Sequence, residues 1–343
     1  MKGTLAAFDM IGGRGAAARV VDGRLDDLLI DPPDNRIRPG AVYRARAGRP
    51  MKGQGGMVLE TPDGPLFLRQ SKGIRQGDTL LVQASSYAEP GKASPANPRL
   101  LFKSRFCLVT PGAEGLNISK AIRDEERRVE LRELLDGLDV PEGVGLVLRT
   151  AAEQAEDGAV MDDLQDVLTM ARDVLGEPRT GAPEKLLEGP GAEELAFRDW
   201  PAPDSTDAEQ GSFARCGIDE MIDELRGPRE GLAGGGYFFV EATRALVAVD
   251  VNTGNDTSPA AGLKANIETL RGLPRALRLR GLAGQVVVDM APLAKKDRRQ
   301  IESVANAAFR ADPIETSLVG WTPFGHLEIN RKRERLPLSE CLT

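Results

Sequence analysis

Residues 245–254 read Ala-Leu-Val-Ala-Val-Asp-Val-Asn-Thr-Gly, an apolar run that stops on Asp250, Asn252 and a glycine. A second run, residues 285–290, reads Gln-Val-Val-Val-Asp-Met and reaches its end at Asp289. Valine-rich runs of this length are typical of strands buried on both faces of a sheet. We therefore expect both aspartates at strand ends, on the rim where open α/β sheets place their sites.

Two carboxylates at neighbouring strand ends predict a Mg²⁺ site, because this ion takes one or two protein carboxylates and keeps several waters. The alternative is that Asp250 and Asp289 only cap neighbouring turns, and the pattern alone favours neither interpretation. The intervening helix makes the unit strand, helix, parallel strand. Pro274 is expected to break or restart that helix. The preceding residues 234–236, all glycine, are interpreted as a flexible connector.

Composition limits the class of protein. The 343 residues allow two or three domains, and the net charge is −7, yet residues 237–343 carry 15 Lys+Arg against 12 Asp+Glu. That basic part suits an anionic partner. No run of about 18 apolar residues predicts a membrane span, and the first residues lack a signal-peptide pattern. We expect a cytoplasmic protein.

Cysteine and histidine usage narrows the chemistry. The three cysteines are widely spaced without a Cys-x-x-Cys pair, which argues against a disulfide framework and against a zinc site. His326 is the one histidine, and we expect it to be an ordinary, partly buried residue. An enzyme built from this chain would therefore work through carboxylates and a metal.

The first third of the chain has the pattern of short strands. Residues 4–8, 17–21 and 25–30 predict strands, the last two joined at Asp22-Gly23 as a hairpin. Residues 37–107 predict a small barrel or OB-type module. Such folds bind single-stranded nucleic acids through a few aromatic side chains and a cationic groove. The candidate contacts there are Phe67, Met57, Lys92, Arg46 and Arg49. The alternative is a barrel core with a solvated basic rim.

Residues 118–138 have helical periodicity, with Val129 on the predicted apolar face, and a second helix is predicted to end at Gly176. Between them, a strand ends on Arg149-Thr150, and an Arg fork beside a hydroxyl is able to hold a phosphate. A surface arginine without a ligand is the commoner case. Residues 177–216 are rich in Gly, Pro and acidic residues, and predict a mobile, partly disordered boundary.

Several motifs occur together and in order. They are Ala248-Val-Asp-Val-Asn-Thr-Gly, Asn266-Ile-Glu, Leu277-Arg-Leu-Arg-Gly-Leu-Ala-Gly, Val286-Val-Val-Asp and Phe324-Gly-His-Leu-Glu-Ile-Asn-Arg-Lys-Arg. This set resembles the catalytic core of the RNase E/G family of endoribonucleases, and residues 141–151 resemble the family's 5′-sensor strand. The resemblance covers nearly the whole chain, strongly over 236–335, moderately over 116–176 and weakly elsewhere.

The resemblance implies an α/β multidomain fold. It divides the chain into an RNase H-like first part at 1–36, an OB-fold RNA-binding barrel at 37–107 and a 5′-sensor-like region at 108–190. A linker with the second RNase H-like part follows at 191–236, and a DNase I-like catalytic subdomain occupies 237–343.

The resemblance also assigns roles to individual residues. Asp250 and Asp289 would bind Mg²⁺, with Mn²⁺ possible, and Asn252 would orient Asp289 or the scissile phosphate. Arg149 and Thr150 would hold a 5′-monophosphate. Phe67, Met57 and Lys92 would contact RNA on the barrel. The implied reaction is Mg²⁺-dependent hydrolysis of single-stranded RNA to 5′-phosphate and 3′-hydroxyl ends, in RNA processing or decay.

The chain departs from the family pattern at several positions. Met57 replaces a barrel aromatic, Ala121 a basic sensor residue, Pro323 an arginine and Pro292 a second acidic residue. Its last residues contain neither the family's Cys-Pro-x-Cys zinc link nor the small domain beyond it. No zinc, and no oligomer through a zinc link, is therefore expected. Two alternatives remain open: an RNA-binding regulatory paralogue with little cleavage, and a metal phosphoesterase with a substrate other than RNA.

Overall fold

The computed structural model describes residues 2–51, 53 and 55–342, and it places strands on the apolar runs named above. The strands are β1 (Thr4–Ile11), β2 (Arg14–Val21), β3 (Arg24–Ile30), β4 (Val42–Met51), β5 (Gly56–Glu60), β6 (Leu66–Leu68), β7 (Thr79–Ala84), β8 (Ser94–Asn97), β9 (Phe102–Lys103), β10 (Cys107–Pro111), β11 (Leu116–Ile118), β12 (Val144–Leu148), β13 (Glu184–Leu187), β14 (Ser205–Asp207), β15 (Arg229–Gly231), β16 (Tyr237–Ala242), β17 (Val247–Asn252), β18 (Gly284–Asp289), β19 (Thr316–Trp321) and β20 (Leu327–Arg331). The helices are α1 (Glu125–Asp136), α2 (Asp157–Gly176), α3 (Ala192–Asp199), α4 (Ser212–Arg215), α5 (Ile218–Glu224), α6 (Ala261–Leu279), α7 (Arg298–Ala311) and α8 (Leu338–Cys341).

The chain forms two compact units. The discontinuous unit combines Met1–Pro33 with Pro203–Thr343, and the continuous unit is Asp34–Ala202. Both contain helices and sheets, so the predicted mixed α/β class is confirmed. The finer division into five named parts stays a prediction.

A six-stranded sheet in the order β15-β16-β17-β18-β20-β19 forms the larger part of the discontinuous unit. β17 and β18 run parallel and are joined through α6, which confirms the predicted strand–helix–strand unit. The other neighbouring pairs are antiparallel, including the predicted pairing of β16 with β17. The core lies between this sheet and α6 and α7, where Leu270, Leu277, Ile301 and Ala305 are completely buried.

α6 corrects one expectation, because the helix runs unbroken from Ala261 to Leu279 with Pro274 inside it. A proline in a helix interior removes one backbone hydrogen bond and costs about 3 kcal/mol. Leu273 and Leu277 belong to the core, and Pro274 between them is also buried. Burial of this apolar face outweighs the proline's local preference.

A second sheet of the discontinuous unit has the order β14-β1-β2-β3, with β14 parallel to β1 and the others antiparallel. The predicted hairpin at Asp22-Gly23 is confirmed, since both residues have the positive φ angles, 49° and 77°, that such a two-residue turn requires. Phe213, Ile218 and Ile222 from α4 and α5 pack on this sheet.

The continuous unit contains a closed five-stranded barrel. The strands follow the order β4-β5-β6-β8-β7, and β7 closes on β4. All pairs are antiparallel except β6 with β8, and the arrangement fits an OB-like domain. Since barrel strands alternate inward and outward residues, Met57, Leu59, Leu66 and Leu68 fill the interior.

The rest of the continuous unit is a sheet in the order β11-β12-β10-β9 with α1 and α2 packed against it. α2 ends at Gly176 as predicted. α1 begins only at Glu125, because the Asp124 side chain accepts hydrogen bonds from the N–H groups of Glu126 and Arg127. Val129 is 58% exposed, so its predicted place on the buried face is wrong.

The segment 177–216 is also a correction, because it contains β13, α3, β14 and α4. β13 pairs with β4, and β14 pairs with β1. Both short strands depend on partners far away in sequence, which explains why local composition predicted disorder.

Candidate active site

The two aspartates at the strand ends lie directly beside each other. In the parallel register of β17 and β18, Asp250 pairs with Asp289, and both are exposed. Neighbouring strands are about 4.8 Å apart, and side chains of directly paired residues project to the same face. The structure therefore brings together the two carboxylates that the sequence predicted as a pair.

Asn252 belongs to the same face, two residues beyond Asp250 on β17. Its Nδ2 donates a hydrogen bond of 2.7 Å to Oδ2 of Asp250. We expected Asn252 to orient Asp289 or a phosphate, and its partner in the structure is instead Asp250. The amide holds one oxygen of that carboxylate and so fixes its rotation.

This donor set fits a hard divalent cation. Magnesium keeps several waters and binds through one or two carboxylates, so paired, exposed aspartates suffice. Across residues 2–51, 53 and 55–342, no group of three or more His, Cys, Asp or Glu side chains is arranged to hold a metal.

Asn266 holds the backbone that follows β18, through a contact that the sequence patterns did not indicate. It is completely buried on α6, where its Nδ2 donates to the carbonyl of Ala291 (3.0 Å) and its Oδ1 accepts from the Ala291 N–H (2.9 Å). Ala291 follows Asp289 by two residues. The amide therefore fastens the backbone beyond β18 to α6. The available signal was a polar residue on the otherwise apolar face of an amphipathic helix.

Two of the three glycines before β16, Gly235 and Gly236, lie close to the backbone at the end of β17, which corrects the interpretation as a flexible connector. A Cβ on Gly236 would lie 2.6 Å from the carbonyl oxygen of Asn252, and a Cβ on Gly254 would lie 2.5 Å from that of Gly235. Gly254 also has a φ of 63°. Glycine allows the two backbones to approach just beyond Asn252.

The Arg149 guanidinium is held by hydrogen bonds to other residues of the continuous unit. Its Nη1 donates to the carbonyls of Ser104, Arg105 and Arg198, and its Nη2 donates to Oδ1 of Asp199 (2.9 Å). The neighbouring Thr150 is exposed, and its hydroxyl lies 3.2 Å from that of Ser119. A phosphate that uses the Arg149 fork would have to replace the Asp199 carboxylate.

Asp199 forms ion pairs with several basic side chains. Besides Arg149, it pairs with Lys103 (2.7 Å) and Arg198 (2.7 Å). Burial by itself opposes ionisation of Asp199, but the hydrogen bonds and charges of Arg198 and Lys103 outweigh it and lower the pKa to about 2. The carboxylate stays ionised, and the group keeps a surplus of positive charge.

The three barrel candidates occupy different environments. Phe67 on β6 points outward, and its ring covers Gly56, where a Cβ would come within 2.4 Å of it. Lys92 is exposed, in an ion pair of 2.6 Å with Glu89, on the loop that leads to Pro95, the strand neighbour of Phe67. Met57 is 0% exposed and faces the barrel core, so the structure contradicts its predicted RNA contact. Inward and outward positions alternate along β5, and Met57 is inward.

A cleft of about 800 Å³ opens beside β4 and β7, and its lining includes Arg46 and Arg179. Arg46 was among the residues expected on a cationic groove. Two arginines on one concave surface suit the phosphate backbone of a single-stranded nucleic acid.

The cysteines and the histidine offer little chemistry. Burial raises the pKa of the Cys107 thiol to about 12 and that of Cys341 to about 11, which disfavours the thiolate needed by a nucleophile or metal ligand. His326 is partly buried, as predicted.

In the described part of the chain, no helix combines the length and apolarity needed to cross a membrane.

The chain is similar in sequence to known ribonucleases. The model of the ribonuclease E/G family matches residues 102–208 and 204–334. Ribonuclease E of Nostoc sp. is 28% identical over 81% of this chain and 47% of its own length, and ribonuclease E of Synechocystis sp. is 26% identical over 83% and 49%. Ribonuclease G of Escherichia coli K12 is 26% identical over 95% and 79%. The chain spans about half the length of the two ribonuclease E relatives. Because the family model matches well over half of its residues, including both aspartate strands, the chain belongs to the ribonuclease E/G family.

Proposed function

We propose that the protein is a metal-dependent endoribonuclease that hydrolyses single-stranded RNA to 5′-phosphate and 3′-hydroxyl ends, in RNA processing or decay. The observation that supports this is the direct pairing of Asp250 with Asp289 at the ends of two parallel strands, in a chain of the ribonuclease E/G family. Asn252 adds the third polar group of the site.

Asp250 and Asp289 would hold Mg²⁺ or Mn²⁺ through their carboxylates. When bound, the ion would supply an acidified water and neutralise the charge that develops on the phosphate. Asn252 keeps the Asp250 carboxylate in one orientation through its 2.7 Å hydrogen bond. Asn266 holds the backbone two residues after Asp289 through its hydrogen bonds to Ala291. Groups that fix the position of a metal ligand in this way contribute to metal binding.

The continuous unit would supply RNA contacts. Phe67 offers an outward ring for a base, and Lys92 and Arg46 offer positive charge for phosphates. Arg149 and Thr150 would accept a 5′-monophosphate if the phosphate displaced Asp199 from the Arg149 fork. Binding should weaken steeply with added salt, because Lys and Arg contacts to phosphates release counterions.

The first experiment uses a short single-stranded, A/U-rich RNA with a fluorescent 3′ label. The protein is incubated with it in Mg²⁺, in EDTA, and as Asp289→Asn in Mg²⁺, and the products are resolved by size. We expect internal cuts only with Mg²⁺ and intact Asp289. A 5′-monophosphate substrate is compared with a 5′-hydroxyl substrate in the same assay. A monophosphate advantage would support the roles of Arg149 and Thr150.

Survival of bound RNA under all three conditions would contradict the nuclease proposal. The protein would then be better described as an RNA-binding regulatory paralogue. Cleavage of a small phosphodiester but not of RNA would point to the third class, a general metal phosphoesterase.

A further inference from the structure

Phe324 is the most exposed of the large apolar side chains in the described residues, with 92% of its surface accessible. It lies on the turn between β19 and β20. A single exposed apolar residue is common on soluble proteins and by itself indicates nothing. The position of this turn, its rigidity and the basic side chain beside it make Phe324 different.

The turn is at the same edge of the sheet as the paired aspartates. β20 runs antiparallel to β18, and Leu327, its first residue, pairs with Val288, the residue before Asp289. The chain that precedes Leu327 therefore passes the end of β18. With strands about 4.8 Å apart and a rise of about 3.3 Å per residue, the Phe324 backbone lies on the order of 10–15 Å from Asp289.

Hydrogen bonds hold the turn in one shape. The Thr322 N–H donates to the carbonyl of His326 (2.9 Å), the Gly325 N–H donates to the carbonyl of Thr322 (3.0 Å), and the His326 N–H donates to Thr322 Oγ1 (3.1 Å). Gly325 has a φ of 94°, a conformation that favours glycine. The turn thus presents the Phe324 ring to solvent from a defined backbone.

One basic side chain lies directly beside the turn. The Arg298 guanidinium lies over the Trp321 ring, with its carbon 4.5 Å from the ring centroid, and a Cβ on Gly325 would lie 3.3 Å from Arg298 Nη2. Trp321 is held in turn by a 2.6 Å hydrogen bond from its Nε1 to Glu302. Lys295, Lys296 and Arg299, which are close to Arg298 in the sequence, are exposed. An exposed ring near an arginine complements a polyanion that carries flat, apolar bases.

We propose that Phe324 stacks on an unpaired base of single-stranded RNA whose scissile phosphate lies at the proposed metal site of Asp250 and Asp289. Arg298 contacts an adjoining phosphate. This inference rests on the proposed function and adds a base-binding position on the active-site rim, separate from Phe67 on the barrel. Stacking accepts any base, so Phe324 contributes affinity and register, not sequence preference.

The test measures RNA binding without cleavage, in the Asp289→Asn background. Fluorescence anisotropy with a labelled single-stranded RNA compares that protein with versions that also carry Phe324→Ala, Phe324→Trp or Val319→Ala. Loss of one stacked base is expected to weaken binding by about 5- to 100-fold in Phe324→Ala. The Trp variant should bind as well as the parent. Val319, 62% exposed on β19, is the matched apolar control and should show no change.

Two further readouts separate stacking from a general loss of charge or of folding. The dependence of affinity on salt should keep its slope in Phe324→Ala, because no phosphate contact is removed. In a second series, an abasic nucleotide replaces each nucleotide of the RNA in turn. At the position that stacks on Phe324, the abasic RNA should bind the parent and Phe324→Ala with equal affinity. Unchanged thermal unfolding would show that the variant is folded, as expected for an exposed side chain.

Equal RNA binding by the parent and Phe324→Ala would overturn this inference. It would also be overturned if sedimentation showed a dimer that Phe324→Ala disrupts while RNA affinity is retained, since the ring would then cover a second copy. Absence of RNA binding by the parent would overturn the proposed function and the inference together. These outcomes are therefore distinguishable.

Discussion

Asn252 and Asp250 lie on the same face of β17 and are joined by a 2.7 Å hydrogen bond from the Asn252 amide to Oδ2 of Asp250. Asp250 is the direct strand neighbour of Asp289 on β18, so the bond restrains one of the two paired carboxylates. A group that orients a metal ligand affects both the affinity for the ion and the rate of reaction.

Asn252→Ala should lower the cleavage rate by about 10- to 100-fold and shift the Mg²⁺ midpoint upward, because the Asp250 carboxylate loses its orienting partner. Cleavage is measured as a function of Mg²⁺ concentration. Asn330→Ala is the matched control, since Asn330 is an exposed asparagine that pairs with Gln285 at the opposite end of β18. Equal rates and Mg²⁺ midpoints in wild type and Asn252→Ala would contradict a role in the site.

Asn266→Ala should destabilise the fold by about 1–3 kcal/mol, because both backbone groups of Ala291 lose their buried partner. Cleavage should also fall, while RNA binding in EDTA stays the same. Thr269→Val is the control on the same helix: Thr269 is completely buried, and its hydroxyl has no hydrogen-bond partner among the described residues. That variant should be neutral or slightly stabilising. Similar losses in both variants would show that Asn266 acts only through packing.

Asp199 should make stability depend on pH in the acid range. Its folded pKa of about 2 lies below the ordinary value of 3.8, so its contribution is present above about pH 4 and is lost as pH falls toward 2. Asp199→Asn should therefore lower the free energy of unfolding at neutral pH by about 1–2 kcal/mol and flatten the decline below pH 5. Urea unfolding at several pH values checks this. The exposed Asp173→Asn serves as control, and an unchanged acid decline in Asp199→Asn would refute the assignment.

Asp312 should be among the most sensitive positions for stability. Its side chain is 1% exposed and receives hydrogen bonds from Arg278 and, at 2.7 Å, from the completely buried Arg331. Asp312→Ala leaves two buried guanidinium groups without this partner and should cost about 3–5 kcal/mol. Denaturant unfolding measures the loss. Asp223→Ala breaks an exposed pair with Arg226 and should change stability by less than about 0.5 kcal/mol.

Phe67→Ala should weaken RNA binding about tenfold, because the outward ring on β6 is lost as a stacking surface. Met57→Leu should leave RNA affinity unchanged, and its cost in stability should stay below about 1.5 kcal/mol, since Met57 is enclosed in the barrel core. Both variants are measured in EDTA by anisotropy. A loss of affinity in Met57→Leu with an unchanged stability would indicate that the barrel opens to expose this position.

Much of the site could be predicted from the sequence. The two valine-rich runs fixed β17 and β18, and the helix between them required a parallel pairing, which places Asp250 and Asp289 at one edge. Asp22-Gly23 and the glycine at the end of α2 were also recognisable, because they report local backbone preferences. Patterns of this kind depend only on residues close together in the chain.

The remaining features depend on residues far apart in the sequence. Pro274 inside α6, the burial of Met57 and the ordered strands β13 and β14 result from packing and pairing partners that no local pattern contains. The same holds for the partner of Asn252, for the Asn266 contact with Ala291 and for the exposure of Phe324. By itself the sequence determined which strands carry the carboxylates, because apolar periodicity and turn residues act locally. Only the tertiary structure decided which side chains form hydrogen bonds at that site and which are buried or exposed, since burial and hydrogen bonding arise when distant segments meet.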